Sequence, residues 1–189
     1  MDSFQITSSP TDFLTLAEAK AHLVVDYSDD DDLITRMISA ACRWCESYTG
    51  RFYTPTTVVL SRNGFAENMR LRFKPVQEIV SVEYDDGDTE GSVLSADRYQ
   101  LDAHNNCLVR AYGAVWPSTR YHWNSVRITY RVGYFSSGSP ESVSVPEDIK
   151  NAALLVLGDL YANRERQQDM ALYHNTASEM LANQYRVCE

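Results

Sequence analysis

At 189 residues, with 44% hydrophobic and 23% charged residues, the chain has the composition of a globular protein with room for a real core, in one domain or two small ones. Seventeen basic residues against 26 acidic ones give a net charge of −9, and no cluster of Lys and Arg is present, which argues against a nucleic-acid binder that grips phosphates. The longest apolar run, Ala152 to Leu157, is far too short for a bilayer, and the first residues do not read as a signal peptide, so the expectation is a chain made in the cytoplasm with no membrane partner.

Residues 1–13 are polar and read as a loose arm. Thr15 then opens a short helix, with Glu18 three residues on as the second half of a capping box and Leu16, Ala17, Ala19, Ala21 and Leu23 following. After the acidic turn Asp29 to Asp32 a longer helix begins. Leu33, Ile34, Met37, Ile38, Ala41, Trp44, Cys45 and Tyr48 recur at helical spacing, and Thr35, Arg36, Ser39, Arg43, Glu46 and Ser47 occupy the other face. The acidic run suits the positive end of the helix dipole, and Gly50 suits the left-handed residue that ends it. So wide an apolar stripe needs a partner that buries Trp44 and Tyr48.

Past Gly50 the period changes. Thr56 to Arg62 and Met69 to Phe73 read as strands joined by an Asn63-Gly64 turn. Pro75 interrupts, and Ile79 to Tyr84 resumes with Ile79, Ser81 and Glu83 facing away from Val80, Val82 and Tyr84. A turn at Asp85 to Asp88 follows. Arg98 to Asp102 and Cys107 to Arg110 form a hairpin around Asn105-Asn106, and Gly113 to Asn124 has few regular signals. Val126 to Val132 is the clearest strand, alternating Val126, Ile128, Tyr130 and Val132 against Arg127, Thr129 and Arg131. Together these predict an antiparallel sheet of about five or six strands with one face buried.

Ser136 to Ser144 reads as a linker. Pro146 takes the first position of a third helix whose stripe is Ile149, Ala152, Ala153, Val156, Leu157, Leu160 and Tyr161, with Arg164 and Arg166 at its negative end. That stripe is the natural partner of the 32–49 helix, and Gly158 within it predicts a close neighbouring backbone. A last helix is expected over Met170 to Tyr185. The order α-α-β-α-α gives an α+β fold: a helical bundle formed by the N- and C-terminal helices, with an inserted antiparallel β-sheet. The division expected is a single domain over 1–189, with 14–50 and 145–186 as helical core and 53–134 as inserted β-region.

No arrangement compels a catalytic reading. His22, His104, His122 and His174 lack metal-ligand spacing, and Cys42, Cys45, Cys107 and Cys188 read as small apolar residues, so neither a metal nor a cofactor is expected. The Asp29 to Asp32 run lacks the glycine and late glutamate of a Ca²⁺ loop. A hydrolase would have to draw a carboxylate pair from Asp85, Asp86, Asp88 and Asp102, with one pKa raised. Aromatic residues are the enriched class, at 11% with 12 tyrosines. Tyr99, Tyr112, Trp116, Tyr121, His122 and Trp123 gather around the loops of the β-region, as packing residues or as a contact surface.

The ordered motifs resemble the head-tail connector proteins of tailed bacteriophages and prophages. The resemblance is carried by Leu14 to Asp26 (LTLAEAKAHLVVD), Glu46 to Tyr53 (ESYTGRFY), Phe73 to Asp86 (FKPVQEIVSVEYDD) and Arg98 to Asp102 (RYQLD). Trp116-Pro117, Val126 to Tyr134 (VRITYRVGY), Val145 to Glu165 (VPEDIKNAALLVLGDLYANRE) and the final Tyr185-Arg186 complete it. Where the family often ends in Leu-Leu-x-Pro-Tyr-Arg, Met180 to Arg186 lacks the proline here, which leaves the last helix free to run on through Tyr185.

The resemblance implies a non-enzymatic virion protein at the head-tail junction, an adaptor that joins the portal ring to the tail. It implies a homo-oligomeric ring of about twelve copies, with the portal protein on one side and a stopper or tail-completion protein on the other. DNA passes through its channel without sequence-specific binding, and the isolated chain is monomeric or weakly associated. A stopper or tail-completion ring protein is the alternative within the same particle. The contact residues it points to are Tyr161, Arg164, Glu165, Tyr185 and Arg186, and Tyr161 and Tyr185 also suit simple packing.

Overall fold

The computed structural model describes residues 3–7, 11–87, 89–120, 122–136, 139–143, 145–163 and 176–187. The chain divides into two compact units: a helical one from 11–53 and 144–189, and a β unit from 1–10 and 54–143. The class is α+β, as the element order predicts.

The helical unit contains α1 (Leu16–Leu23), α2 (Asp31–Thr49), α3 (Glu147–Ala162) and α4 (Thr176–Asn183). Thr15 and Glu18 form the expected capping box, with the Glu18 amide donating to Thr15 Oγ1 and the Thr15 amide to Glu18 Oε2. Gly50 ends α2 at φ 67°, as its C-cap. The acidic turn works differently from a cap. Asp30 stands at the N-cap position but its side chain makes no capping bond, and Asp31 instead pairs with Lys20 of α1 at 2.6 Å. Pro146 is likewise the N-cap of α3 rather than its first residue.

The two predicted stripes meet: α2 packs on α3, and α1 and α4 pack on both. Ile34, Ile38, Ala41 and Cys45 are buried with Ile149, Ala152, Ala153 and Leu157. Trp44 and Tyr48 are only half-buried and stack on each other, with ring centroids 5.1 Å apart. Glu46, placed on the polar face by its spacing, is buried, because Asp12 and Phe13 fold over that side of α2: Arg43 reaches Asp12, and Phe13 meets Tyr53 edge-on. At Gly158 the near neighbour is the imidazole of His22, 3.6 Å from where a Cβ would stand, and not a backbone. The last helix stops at Asn183 despite the missing proline. Turn bonds from the Tyr185 amide to Ala182 and from the Arg186 amide to Asn183 close it, and Met170 to Asn175 lie outside the described residues.

Among the described residues the β unit holds ten strands: β1 (Ser3–Ile6), β2 (Thr56–Arg62), β3 (Asn68–Arg70), β4 (Val76–Tyr84), β5 (Ser92–Val93), β6 (Tyr99–Asp102), β7 (Cys107–Arg110), β8 (Val126–Val132), β9 (Phe135–Ser136) and β10 (Ser139–Val143). They form a five-stranded sheet in the order β1-β2-β8-β4-β5, a three-stranded sheet β3-β7-β6 and a β9-β10 ribbon, with every pairing antiparallel.

Four expectations change here. Residues 3–6 are an edge strand rather than part of a loose arm. Asn63-Gly64 does not join a hairpin, since β2 pairs with β1 and β8 whereas β3 pairs with β7 in the smaller sheet. The expected linker from Ser136 carries the β9-β10 ribbon. Finally, β4 does not alternate evenly. Register shifts leave Val80 as an extra residue, exposed, while Ile79 opposite Tyr130 and Val82 opposite Ile128 both turn inward.

The rest of the pattern holds. Val126, Ile128, Tyr130 and Val132 are fully buried, and Val58 and Leu60 of β2 lie beside Tyr130 and Ile128 in register. The Tyr130 hydroxyl donates to the Arg72 carbonyl at 2.9 Å, which ties the link from β3 to β4 onto this face. Gly133 is required where it stands. At φ 116° a Cβ would sit 2.3 Å from the Thr54 carbonyl oxygen.

Candidate functional site

Three of the five predicted contact residues are described. The Tyr161 hydroxyl, near the end of α3, donates to Asp30 Oδ2 at 2.7 Å and lies 3.2 Å from the Tyr27 hydroxyl, which itself reaches Asp30 at 3.3 Å. Two phenols and one carboxylate thus fasten α3 to the turn between α1 and α2. Tyr27 was not read from the sequence as part of this group, because nothing in its local spacing marks it.

Tyr185 and Arg186 follow α4 along the end of α2. The Tyr185 hydroxyl lies 3.3 Å from Asp148 Oδ2, which also accepts from Gln184 Nε2 at 2.8 Å. Arg51 Nε donates to the Tyr185 carbonyl, and the Val187 amide to the Thr49 carbonyl at 2.9 Å. The Arg186 guanidinium stands 5.5 Å over the Tyr48 ring, so it extends the Trp44-Tyr48 stack to a third member. Arg186 is exposed and Tyr185 half-buried. Tyr161 and the Tyr185-Arg186 pair are therefore two separate clusters in the helical unit, whereas Arg164 and Glu165 lie outside the described residues.

In the β unit the loop aromatics divide. Trp116 stacks on Phe65 at 4.7 Å and Phe65 meets Tyr84 at 5.9 Å, which is packing. Tyr112 and Trp123 project into solvent, Tyr112 completely, and His122 is exposed as well. Tyr121 lies outside the described residues. Exposed apolar side chains that the sequence reading passed over are Phe4, Ile6 and Val93 on the two edge strands of the larger sheet.

Of the carboxylates singled out, Asp85 and Asp102 are both shifted downward. The Arg127 guanidinium, 2.8 Å away, holds Asp85 below its ordinary value, and hydrogen bonds from Asn105 hold Asp102 down as well. A general acid needs the opposite shift. Asp88 lies outside the described residues. Burial pushes Glu46 up to about 7 against the pull of Arg43, and pushes the Cys42 and Cys45 thiols up to about 11 and about 12. Among the described residues no group of three or more His, Cys, Asp and Glu could hold a metal ion, and no helix is long and apolar enough to cross a membrane.

The fold is similar to that of chains in gene transfer agent (GTA) particles. A chain of the virion of the native GTA particle matches with a TM-score of 0.76 at 18% identity, covering 98% of this chain and 96% of that one. A chain of the neck of the empty particle, computed with C6 symmetry, matches at 0.76 and 19% identity over 99% and 96%. Another from the neck of the native particle, computed with C12 symmetry, matches at 0.72 and 19% identity over 98% and 96%. No curated protein matches the chain. Residues 13–93 match the family of phage gp6-like head-tail connector proteins, which is the family that the ordered sequence motifs resemble.

Proposed function

We propose that this chain is a structural, non-enzymatic connector of a phage-like particle, a ring subunit at the neck that joins the portal to the tail and continues the DNA channel. The observation that carries this reading is the connector-family match over residues 13–93, which spans α1, α2 and the first strands after them. The likeness to neck chains of GTA particles supports it, and the sixfold and twelvefold symmetry of those necks supports a ring of this chain. The portal protein and a stopper or tail-completion protein are its partners in this reading, and the host cytoplasm is where it assembles.

The charge is distributed in a way that suits a channel. The helical unit holds eight basic against fifteen acidic residues, a net −7, and the β unit carries the remaining −2. Walls of that sign repel phosphates and let DNA pass without gripping it. Among the described contact candidates, Arg186 offers an exposed charge held in place, on the Trp44-Tyr48 stack; Tyr185 braces the surface beside it, and Tyr161 belongs to the separate cluster at Asp30. Arg164 and Glu165 remain candidates on the resemblance alone.

The test is deletion of the gene in the producing phage or prophage. Particles are expected to fill with DNA and fail to acquire tails, and tail-bearing, infectious particles would overturn the proposal. A place as stopper or tail-completion protein predicts instead that the missing ring lies one position further from the head, which electron microscopy of the chain mixed with its portal distinguishes by direct binding.

A further inference from the structure

The larger sheet has two edges, β1 and β5, and among the described residues neither has a second neighbour. Monomeric proteins blunt such edges with charge, proline or bulges. Strand β1, Ser3-Phe4-Gln5-Ile6, carries no charge and no proline, and it leaves Phe4 and Ile6 42% and 41% exposed. At the far edge Val93 is 69% exposed. The two edges also carry different side chains. The Arg72 guanidinium lies 4.9 Å over the Phe4 ring at the β1 edge. Beside β5 stand Glu90, exposed, Asp86, 3.4 Å from the Ser92 hydroxyl, and Glu83, opposite Val93 in register and paired with Arg127 at 3.6 Å, so acidic side chains outnumber basic ones there.

We propose that the β1 edge of one copy of this chain pairs with the β5 edge of the next, so that the five-stranded sheets make a continuous band around the ring. The proposal rests on the ring reading above and names the surface that closes it. A ring is generated by head-to-tail contacts between two different surfaces, and the acidic side chains beside β5 disfavour β5 against β5, so the junction is β1 against β5.

Strand direction agrees. The order β1-β2-β8-β4-β5 is antiparallel at each of its steps, so β1 and β5 run the same way, and copies related by rotation about one axis meet as a parallel pair. With only two residues in β5 the junction makes few hydrogen bonds, which keeps it weak between isolated chains and effective when a ring template holds the copies together.

By register, Ser3 and Gln5 lie on the same face of the sheet as Arg127 and Thr129, and Val93 lies on that face through Glu83 and Arg127. Cysteines placed there on neighbouring copies would meet. The experiment uses neck complexes of the chain with Cys107→Ser and Cys188→Ser, carrying Gln5→Cys, Val93→Cys or both, treated with a short bis-maleimide and compared with the same chain lacking either new cysteine. The double variant is expected to give a covalent ladder of multimers and the single variants none. A second measurement needs no substitution: amide hydrogen exchange at 3–6 and 92–94 is expected to slow at least tenfold between the isolated chain and the assembled neck. Rings visible by electron microscopy that give no ladder, or no change in exchange at either edge, would overturn the edge pairing and leave the ring reading standing. Dimers from a single variant would also overturn it, because like edges would then be in contact. Neck complexes without any ring of this chain would overturn both.

Discussion

The Tyr161 hydroxyl donates to Asp30 Oδ2 at 2.7 Å across 131 residues of sequence. That one bond links the last turn of α3 to the acidic turn before α2, with Tyr27 on the same carboxylate. A half-buried hydrogen bond to a charged acceptor contributes about 1–2 kcal/mol. Tyr161→Phe should therefore lower the unfolding free energy of the purified chain, read from denaturant titration, by that amount while its helical circular dichroism is unchanged. If Tyr161 only braces the helices, the variant still enters particles and supports tailing. Loss of tailing from a fully folded variant would make it a direct contact.

Glu46 sets a pH dependence. Its carboxyl rises from 4.5 in the unfolded chain to about 7 when buried, chiefly because burial disfavours its charge. The folded state thus holds the proton more tightly, so this group favours folding fully below pH 4.5, and that contribution is lost as pH rises through about 7. Glu46→Gln keeps the shape without the charge. Relative to it, the natural chain should lose stability between pH 5 and pH 8, by at most about 3 kcal/mol and by less where Arg43 retains its pairing. Denaturation midpoints of both proteins over that range check the sign. Parallel curves would mean that Glu46 does not titrate there.

How much was legible follows from how local each signal is. The capping box of Thr15 and Glu18, the period of α2 and the Gly50 cap are all set within a few residues, and each stands where the sequence places it. The burial of Glu46 is not local, since it depends on Asp12 and Phe13 folding back over α2. Nor is the pairing of β2 with β1 and β8, which an Asn-Gly turn in the right place does not reveal. The four residues of β1 are too few for a period to show, and the Val80 bulge is a matter of register with β8. The candidate site divides the same way. Tyr161 could be picked out from its helix, but its anchors Asp30 and Tyr27 could not.

Gly133 offers a steric test. Its positive φ and the Thr54 carbonyl oxygen 2.3 Å from a Cβ position leave a side chain nowhere to go without moving backbone. Gly133→Ala should cost about 2–4 kcal/mol, seen as a lower melting temperature. Gly87, where a Cβ meets nothing within 4 Å, is the control. Gly87→Ala should change stability by less than about 0.5 kcal/mol.

The cysteines should separate cleanly by reactivity, since the nucleophile is the thiolate and access is needed to reach it. Cys42 and Cys45 are fully buried in the α2 face with thiols raised to about 11 and about 12, so at pH 8 both are protonated and shielded. Cys107, on β7, is only half-buried. Brief maleimide treatment of the native chain at pH 8, followed by peptide mass spectrometry, should label Cys107 and spare Cys42 and Cys45, and all three should label once the chain is unfolded in guanidinium. Equal labelling of Cys42 and Cys107 in the native chain would mean that the α2 face opens on the timescale of the reaction, and that the 11–14 segment does not stay closed over it.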